Sequence, residues 1–421
     1  MKRAGRITRL ALLGAVTVLP WLSPAVATER GSSRAVLAGA TVESVIALAR
    51  RLSPELAAAA FEAEASRHAV GAAGALADPT VTFEAWDVNA RQGIGQRRIG
   101  IDQEFKLWGK QGLERGVARA EAEVATHKAR ATAVDLIARI KAVHAEYNAA
   151  NEAVSLSLQV KRRVTELQEL LEARYGSTAV DQQDVIRGRI EIATADVDIV
   201  RRQGELKAVA ARLNALVGRP ALAVLALPVG FRRIKPGITI ATIQSKARAL
   251  NPALAASTGE VGAALGAKAL TDLNYYPNLT LGARYVQRPS GGDSGEFLVG
   301  FKLPLQFAAK DAEQRAASSR LGAAHARNDA ARLRLDGEVA ETWFGLEATR
   351  KAIQIHETRQ LPQARQSVET ARSGFQAGST DLSIVFEAER RLRTVHLDLL
   401  KLKVEEQTKH AELERMAGGS L

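Results

Sequence analysis

A helical pattern running from about Lys110 to Arg174 constrains this chain more than any other feature. Leu113, Val117, Ala120, Val124, Ala131 and Val134 recur at threes and fours, and Ile140, Tyr147, Val154 and Leu158 carry the seam onward. At 1.5 Å per residue such a helix measures roughly 100 Å. No compact domain accommodates that length, so the helix must pack against equally long neighbours. Tyr175-Gly176-Ser177-Thr178 breaks it, and a second helix over about 180–217 returns antiparallel and stops at Gly218-Arg219-Pro220.

The arrangement occurs twice. Ser53-Pro54-Glu55-Leu56 matches Asn251-Pro252-Ala253-Leu254, and Asp78-Pro79-Thr80-Val81-Thr82-Phe83 matches Tyr276-Pro277-Asn278-Leu279-Thr280-Leu281, both at an offset of 198. Gly100 and Gly300, Lys110 and Lys310, and Tyr175 and Phe375 match at 200. Matches in register over most of the chain indicate duplication. The organisation read here is a first repeat over 28–218 (helix, β-hairpin, long helical hairpin), a connector over 219–237 and a second repeat over 238–417. The first repeat opens with a helix from Thr41, interrupted at Ser53-Pro54, where Ser53 is expected to cap the restart. The second is expected to hold a helix at 238–273 and a long helix at 310–374, then a break and a return helix to 416.

Between the short and long helices of each repeat lie strand patterns. In the first they cover 80–88 and 96–107, in the second 278–288 and 295–306. Ile99, Ile101, Phe105 and Leu107 take one face, with Gln103 an exception, and Arg98, Asp102, Glu104 and Lys106 take the other. Leu279, Leu281, Ala283 and Tyr285 oppose Thr280, Gly282 and Arg284, and Phe297, Val299, Phe301 and Leu303 oppose Gly300 and Lys302. Strands of about ten residues, apolar on one side and polar on the other, suit an outer-membrane barrel whose lumen would receive Arg98, Asp102, Glu104, Lys106, Arg284 and Lys302. The same alternation also suits a soluble layer over a helical core. Four strands cannot close a barrel, so a membrane reading requires strands pooled between copies, because a bilayer tolerates no open edge.

The N-terminus sets the compartment. Lys2 to Arg9 is basic, Leu10 to Leu22 is apolar, and Ala25-Val26-Ala27 has the small-x-small pattern of a cleavage site, so residues 1–27 read as a secretory signal peptide. The net charge of +12 includes four cations in the first nine residues, leaving +8 spread among interleaved acids. No clustered basic patch for nucleic acid results. There is no cysteine, which excludes disulfides, thiolate metal sites and a catalytic thiol. His68, His127, His144, His325, His356, His396 and His410 show no paired ligand spacing, and Met416 is the sole methionine outside the leader. No nucleophile motif, phosphate-binding glycine loop or paired-carboxylate site stands out, so neither an enzyme nor a cofactor is expected.

These features, with GIDQEFKLWGKQGLERGVARAEAE from Gly100 and YYPNLTLGARY from Tyr275, resemble the TolC-like outer-membrane efflux family over nearly all of the mature chain. The first stretch, preceded by DPTVTFEAWDVN, is similar to the branch that serves heavy-metal efflux pumps. The resemblance implies an α+β membrane protein of the outer membrane of a Gram-negative bacterium, extending into the periplasm. It implies a homotrimer in outer-membrane lipid, with a shared twelve-stranded barrel and a long helical tube closed by an iris at the tips. It also implies a periplasmic adaptor, an inner-membrane pump and passive conduction of the pump's substrate, metal cations in the heavy-metal branch.

Tip residues carry over one by one. Tyr175 and Phe375 hold the aromatic place; Gly378 matches the glycine three residues on, whereas Thr178 departs from it. Asp184 matches the acid nine residues after the aromatic, and Glu387 holds a later acid place in the second repeat. Ile384 stands where an acid is usual, and Thr380 where an arginine often ties the gate. Three copies of Asp184 and Glu387 would ring a constriction and favour cations, though acids near a helix start are also favoured by the helix dipole. Two rivals remain at this stage. A soluble adaptor predicts one helical hairpin between β-rich halves, and a structural coiled-coil protein has no need of Phe83, Phe105, Phe297 and Phe301 on strand faces.

Overall fold

The computed structural model describes residues 38–89, 93–175, 181–234, 237–288 and 291–421. The leader at 1–27 and the tip residue Thr178 lie outside them. The elements run α1 (Val42–Leu52), α2 (Pro54–Ala72), β1 (Thr80–Asn89), β2 (Gly93–Phe105), α3 (Lys110–Tyr175) and α4 (Gln182–Val217). They continue as α5 (Ile240–Leu250), α6 (Pro252–Asp272), β3 (Asn278–Gln287), β4 (Ser294–Lys302), α7 (Phe307–Ile355), α8 (Leu361–Gln376) and α9 (Leu382–Met416). A five-residue π turn, His356–Gln360, separates α7 from α8.

The 66-residue α3 is the spine expected from the periodicity. It packs against α4 on one side and α9 on the other, and α9 in turn carries α7 and α8. The second repeat copies the first at its start and departs from it further on. The helix expected over 238–273 is two helices, because Pro252 repeats the break at Pro54. The long helix of that repeat begins at Phe307 and is interrupted by the π turn, where Pro362 has no N–H to continue the α ladder.

The two repeats also cap differently. Asn251 Oδ1 accepts from the Leu254 N–H at 2.9 Å, and its Nδ2 donates to the Met416 carbonyl at 2.9 Å. Ser53 stands at the same place, but it makes no side-chain cap bond and its hydroxyl is buried without a partner. The Ser53 cap expected from sequence is therefore absent. A C-terminal asparagine–carbonyl bond and the cap together hold the amide of Asn251, whereas nothing orients the shorter serine.

Three apolar clusters divide the helical layer. Val42, Val45, Ala49, Leu136, Ile140, Tyr147 and Leu213 join α1, α3 and α4. Ile243, Leu335, Val339, Leu346, Leu413 and Met416 join α5, α7 and α9. Val164, Leu167, Leu171, Val185, Val368, Leu382, Val385 and Phe386 join the far ends of α3, α4, α8 and α9.

A buried ionic node ties the connector to this layer. Glu414, 3% exposed, accepts from Lys141 of α3 at 2.7 Å and from Arg232 of the connector at 3.0 Å. His410 Nδ1 accepts from Arg232 at 2.8 Å, and Gln407 donates to the Arg232 carbonyl at 2.8 Å. Burial disfavours the Glu414 charge, but hydrogen bonds from Arg232 and Lys141 outweigh it and hold the carboxyl well below its usual range. A depressed carboxyl contributes stability above its unfolded value of 4.5 and loses it as pH falls below.

Glu414→Ala, which leaves two half-buried cations without their carboxylate, should cost about 3 kcal/mol, and Glu414→Gln should flatten the loss of stability on acidification below pH 4.5; thermal melts across pH read both. Asn251→Ala should cost about 1 kcal/mol in the same assay, whereas Ser53→Ala should be neutral or mildly stabilising.

Candidate functional site: a reversed sheet and a helical tip

The four strands form one antiparallel meander in the order β1-β2-β3-β4, so β1 and β4 are both open edges. Val81 faces Ile101 in the first hairpin, and the equivalent Leu279 faces Phe301 in the second. Across the sheet the registers place odd-numbered residues on one face and even-numbered residues on the other. The odd face carries Val81, Phe83, Ile99, Ile101, Phe105, Leu279, Leu281, Tyr285, Phe297, Val299 and Phe301. It points away from the protein: Phe83 is 76% and Phe297 91% exposed. In water each such side chain forgoes about 1.5–3 kcal/mol of burial. The reversed polarity is therefore the pattern of a sheet in an apolar medium.

The even face holds the expected polar residues. Arg98, Asp102, Glu104, Arg284 and Lys302 all lie on it. Lys106 does not: β2 ends at Phe105, and Lys106 Nζ bonds the Glu114 carboxylate of α3 at 2.7 Å. Leu303 and Leu107 likewise fall beyond their strands. Arg284 sits 3.6 Å from Asp102, and the Arg98 guanidinium lies 5.0 Å from the Trp86 ring centroid. Two glycines make room for the ion pair. Gly100 faces Arg284 and Gly282 faces Asp102 in the β2–β3 register. A Cβ on Gly282 would sit 2.0 Å from Asp102 Oδ1, and one on Gly100 would sit 2.8 Å from Arg284 Cγ.

The two sequence motifs meet at the root of this sheet. Trp108 (φ 64°) and Gly109 (φ 76°) turn the chain from β2 into α3 in consecutive left-handed conformations. The Trp108 indole donates to the Pro277 carbonyl at 2.9 Å and stacks 5.2 Å from Tyr276. Lys110 Nζ, buried, donates to the Tyr276 carbonyl at 2.7 Å and to Asn278 Oδ1 at 2.8 Å; Asn278 Nδ2 donates to Glu104 at 2.7 Å. The KLWGK of one repeat thus grips the YYPN of the other, and those bonds compensate the strain of Trp108.

At the far end of the helices, Tyr175 closes α3 and is half exposed. Phe375 packs against the apolar cluster there, and Gly378 (φ 73°) ends α8 in the left-handed conformation. Asp184 lies in the first turn of α4 with Arg187 at 3.4 Å, so its charge is partly offset within its own helix. Glu387 is exposed on α9, as is Ile384, and Thr380 is half buried. No hydrogen bond or ion pair joins Asp184 to Glu387 among the described residues. Sequence reasoning missed the contact between the two tips. Arg174 donates to the carbonyls of Phe375 at 3.4 Å and Gln376 at 3.2 Å, with its guanidinium 5.9 Å from the Phe375 ring. Its position, one residue before the tip aromatic, was the available signal. A second missed residue is Glu389, buried beside Arg163 at 3.4 Å, two places from the exposed Glu387.

The architecture is a sheet turned inside out on a layer of paired long helices. Residues 243–419 match the family described as Outer membrane efflux protein. That match covers the second half of the chain. No curated protein matches it in sequence. Its fold is that of solved channels. The Vibrio cholerae outer membrane protein VceC shares 19% identity at a TM-score of 0.75, with 90% of this chain and 96% of that one aligned. The open-state MtrE channel of Neisseria gonorrhoeae shares 18% at 0.73, covering 91% and 90%. CusC, described for channel formation, shares 16% at 0.77, covering 90% and 92%. Among the described residues no helix is long and apolar enough to cross a membrane.

Gly282→Leu should force the Asp102 carboxylate away from Arg284 and destabilise the sheet by about 1–3 kcal/mol. Gly300→Ala, whose Cβ meets nothing nearer than 3.7 Å, should be silent. Thermal melts of the two variants report the difference.

Proposed function

We propose that the protein is the outer-membrane channel of a tripartite efflux system and acts as a homotrimer that conducts passively. The observation that carries this reading is the exposed apolar face of a sheet whose two edges are unpaired. Each unpaired backbone group costs several kcal/mol in hydrocarbon, so β1 of one copy must pair with β4 of the next. Three copies supply twelve strands, within the range of membrane barrels.

The helical layer supports the same closure. Its edges are α4 and α7. On α4, Ile186, Ile190, Ala193, Val197, Val200 and Gly204 form an exposed stripe at alternating spacings of four and three, the pattern of a coiled-coil seam. On α7, Leu333, Phe344 and Ile355 stand exposed. Docking one stripe on the other in a neighbouring copy continues the layer into a tube beneath the barrel. The tube extends into the periplasm towards an adaptor and an inner-membrane pump, which supplies the energy.

In this reading the tips are an iris. Asp184 and Glu387 line the entrance and favour cations, Tyr175, Phe375 and Gly378 shape it, and Arg174 replaces the arginine missing at Thr380 as the tie between hairpins. The heavy-metal branch resemblance of 78–89 and 100–123 points to metal cations as cargo.

Detergent extraction of the outer-membrane fraction should give a particle of three chains, and a soluble monomer would overturn the channel reading. In planar bilayers, Asp184→Ala with Glu387→Ala should reduce cation preference, and Arg174→Ala should raise leak conductance several-fold. Unchanged conductance and selectivity in both variants would remove the gate from these residues.

A further inference from the structure

We infer, resting on the trimer reading above, that the joint between copies reuses the joint between the two repeats of one chain with its complementary residues exchanged, so that each joint rejects the partners of the other. Glu84 of β1 and Lys302 of β4 carry the charged part of this recognition. Phe61 of α2 and the exposed Ala316 and Ala323 of α7 carry the steric part.

The repeats correspond residue by residue in space. Val45 and Ala49 of α1 and, 198 residues on, Ile243 and Ala247 of α5 are all buried. On the long helices Ala118, Leu136 and Ile140 of α3 correspond to Ala317, Leu335 and Val339 of α7 at 199, and again all are buried. The hairpins correspond in register as well. Thr80 lies opposite Asp102 in the first and Asn278 opposite Lys302 in the second, offsets of 198 and 200.

Within the chain the repeats meet where β2 pairs with β3 and α3 packs on α6. The equivalent meeting between copies is β4 with β1 and α7 with α2. In the inner joint Asp102 lies opposite Gly282. Advancing β2 by 200 and taking β3 back by 198 puts Lys302 opposite Glu84 of the next copy. A slip that keeps each face on its own side must be of two residues, and it would put Lys302 opposite Thr82 or Trp86 instead. Lys302 is exposed on the open edge strand and has no ion pair or hydrogen bond among the described residues. Glu84 accepts from the Trp86 indole at 2.9 Å through one oxygen, which leaves the other for a cation.

The exchange of charge acts against swapped assemblies in which like repeats meet. Arg284 sits 3.6 Å from Asp102 in the inner joint. A β4 docked on the β3 of another copy would set Lys302 in the place of Asp102, beside that arginine. A β1 docked in the place of β3 would set Glu84 opposite Asp102. Like charges directly opposite one another destabilise a strand pair.

Size is exchanged in the helices. In the inner joint the long helix supplies the bulk. A Cβ on Gly259 of α6 would sit 2.8 Å from Val124 Cγ2, and one on Gly266 would sit 3.0 Å from Val117 Cγ2. At the repeat offsets of 198 and 199, the outer joint has Phe61 and His68 for the two glycines and Ala323 and Ala316 for the two valines. There the short helix supplies the bulk. Phe61 is 69% exposed in the single chain, and both alanines are exposed on α7. A swapped joint would press Phe61 on Val124 or leave Ala323 facing Gly259, one overpacked and the other void.

Because the chain lacks cysteine, cysteine pairs can read the register in the full-length protein in its membrane. Successive cross-strand pairs alternate between Cα separations of about 5.5 and 4.5 Å, so two matched pairs are made: Glu84→Cys with Lys302→Cys, and Ala85→Cys with Phe301→Cys. Oxidation should link three chains covalently through at least one of them. Ala85→Cys with Val299→Cys, and Ala85→Cys with Leu303→Cys, are shifted by two residues and about 7–8 Å apart. They should not link, because a disulfide spans less. Lys302→Glu and Glu84→Lys should each lower the fraction of extracted protein that is trimeric, and the two together should restore it. Phe61→Ala and Ala323→Leu should do the same for the helices. A three-chain particle linked only by a shifted pair, or by no pair, would overturn the register. Paired substitutions whose losses add instead of cancelling would overturn the exchange. A monomeric particle from the parent chain itself would overturn the trimer reading.

Discussion

Every backbone amide of a membrane-embedded strand needs a partner, and this sheet leaves two edges without one. That constraint governs the rest of the architecture. The apolar odd face can rest in lipid only if β1 and β4 are paired, and a single chain has no strand left to pair them. In the assembly proposed above, the copies that complete the barrel also bring their α4 and α7 edges together, so barrel and tube close by the same step.

The transition between them is where the chain accepts strain. Trp108 adopts a conformation that a bulky side chain rarely takes, and it is held there by Pro277, Tyr276, Lys110 and Asn278. These contacts cross the two repeats, so the sheet root is shared between halves. The buried Glu414 node performs a similar task lower down, clamping the connector to α3 and α9. Between these two fixed levels and the tips, the second hairpin contains the one π turn among the described residues.

Much of the fold was legible in the residues. The 3.6-residue seam of α3, the two-residue alternation of the strands and the offsets of 198 and 200 each express a geometric period, and a period survives without knowledge of tertiary contacts. Strand ends were less legible. Lys106 continues the alternation of β2 but belongs to the turn, because Glu114 captures it. The π turn was hidden for a related reason: Pro362 is visible, but whether a helix stops, kinks or bulges at proline depends on what packs around it.

The tip shows the same division. Tyr175, Phe375, Gly378, Asp184 and Glu387 could be placed by motif, whereas Arg174 could be identified only once α3 and α8 lay side by side. Ser53 and Asn251 occupy equivalent places in the repeat, yet only the longer amide reaches its partners. The sequence by itself determined the type and order of the elements and the polarity of each face, because these follow from local periodicity and side-chain chemistry. Tertiary structure alone decided which carboxylates are buried and paired, which arginine bridges the hairpins and where the second hairpin bends, because those depend on distances between residues far apart in the chain.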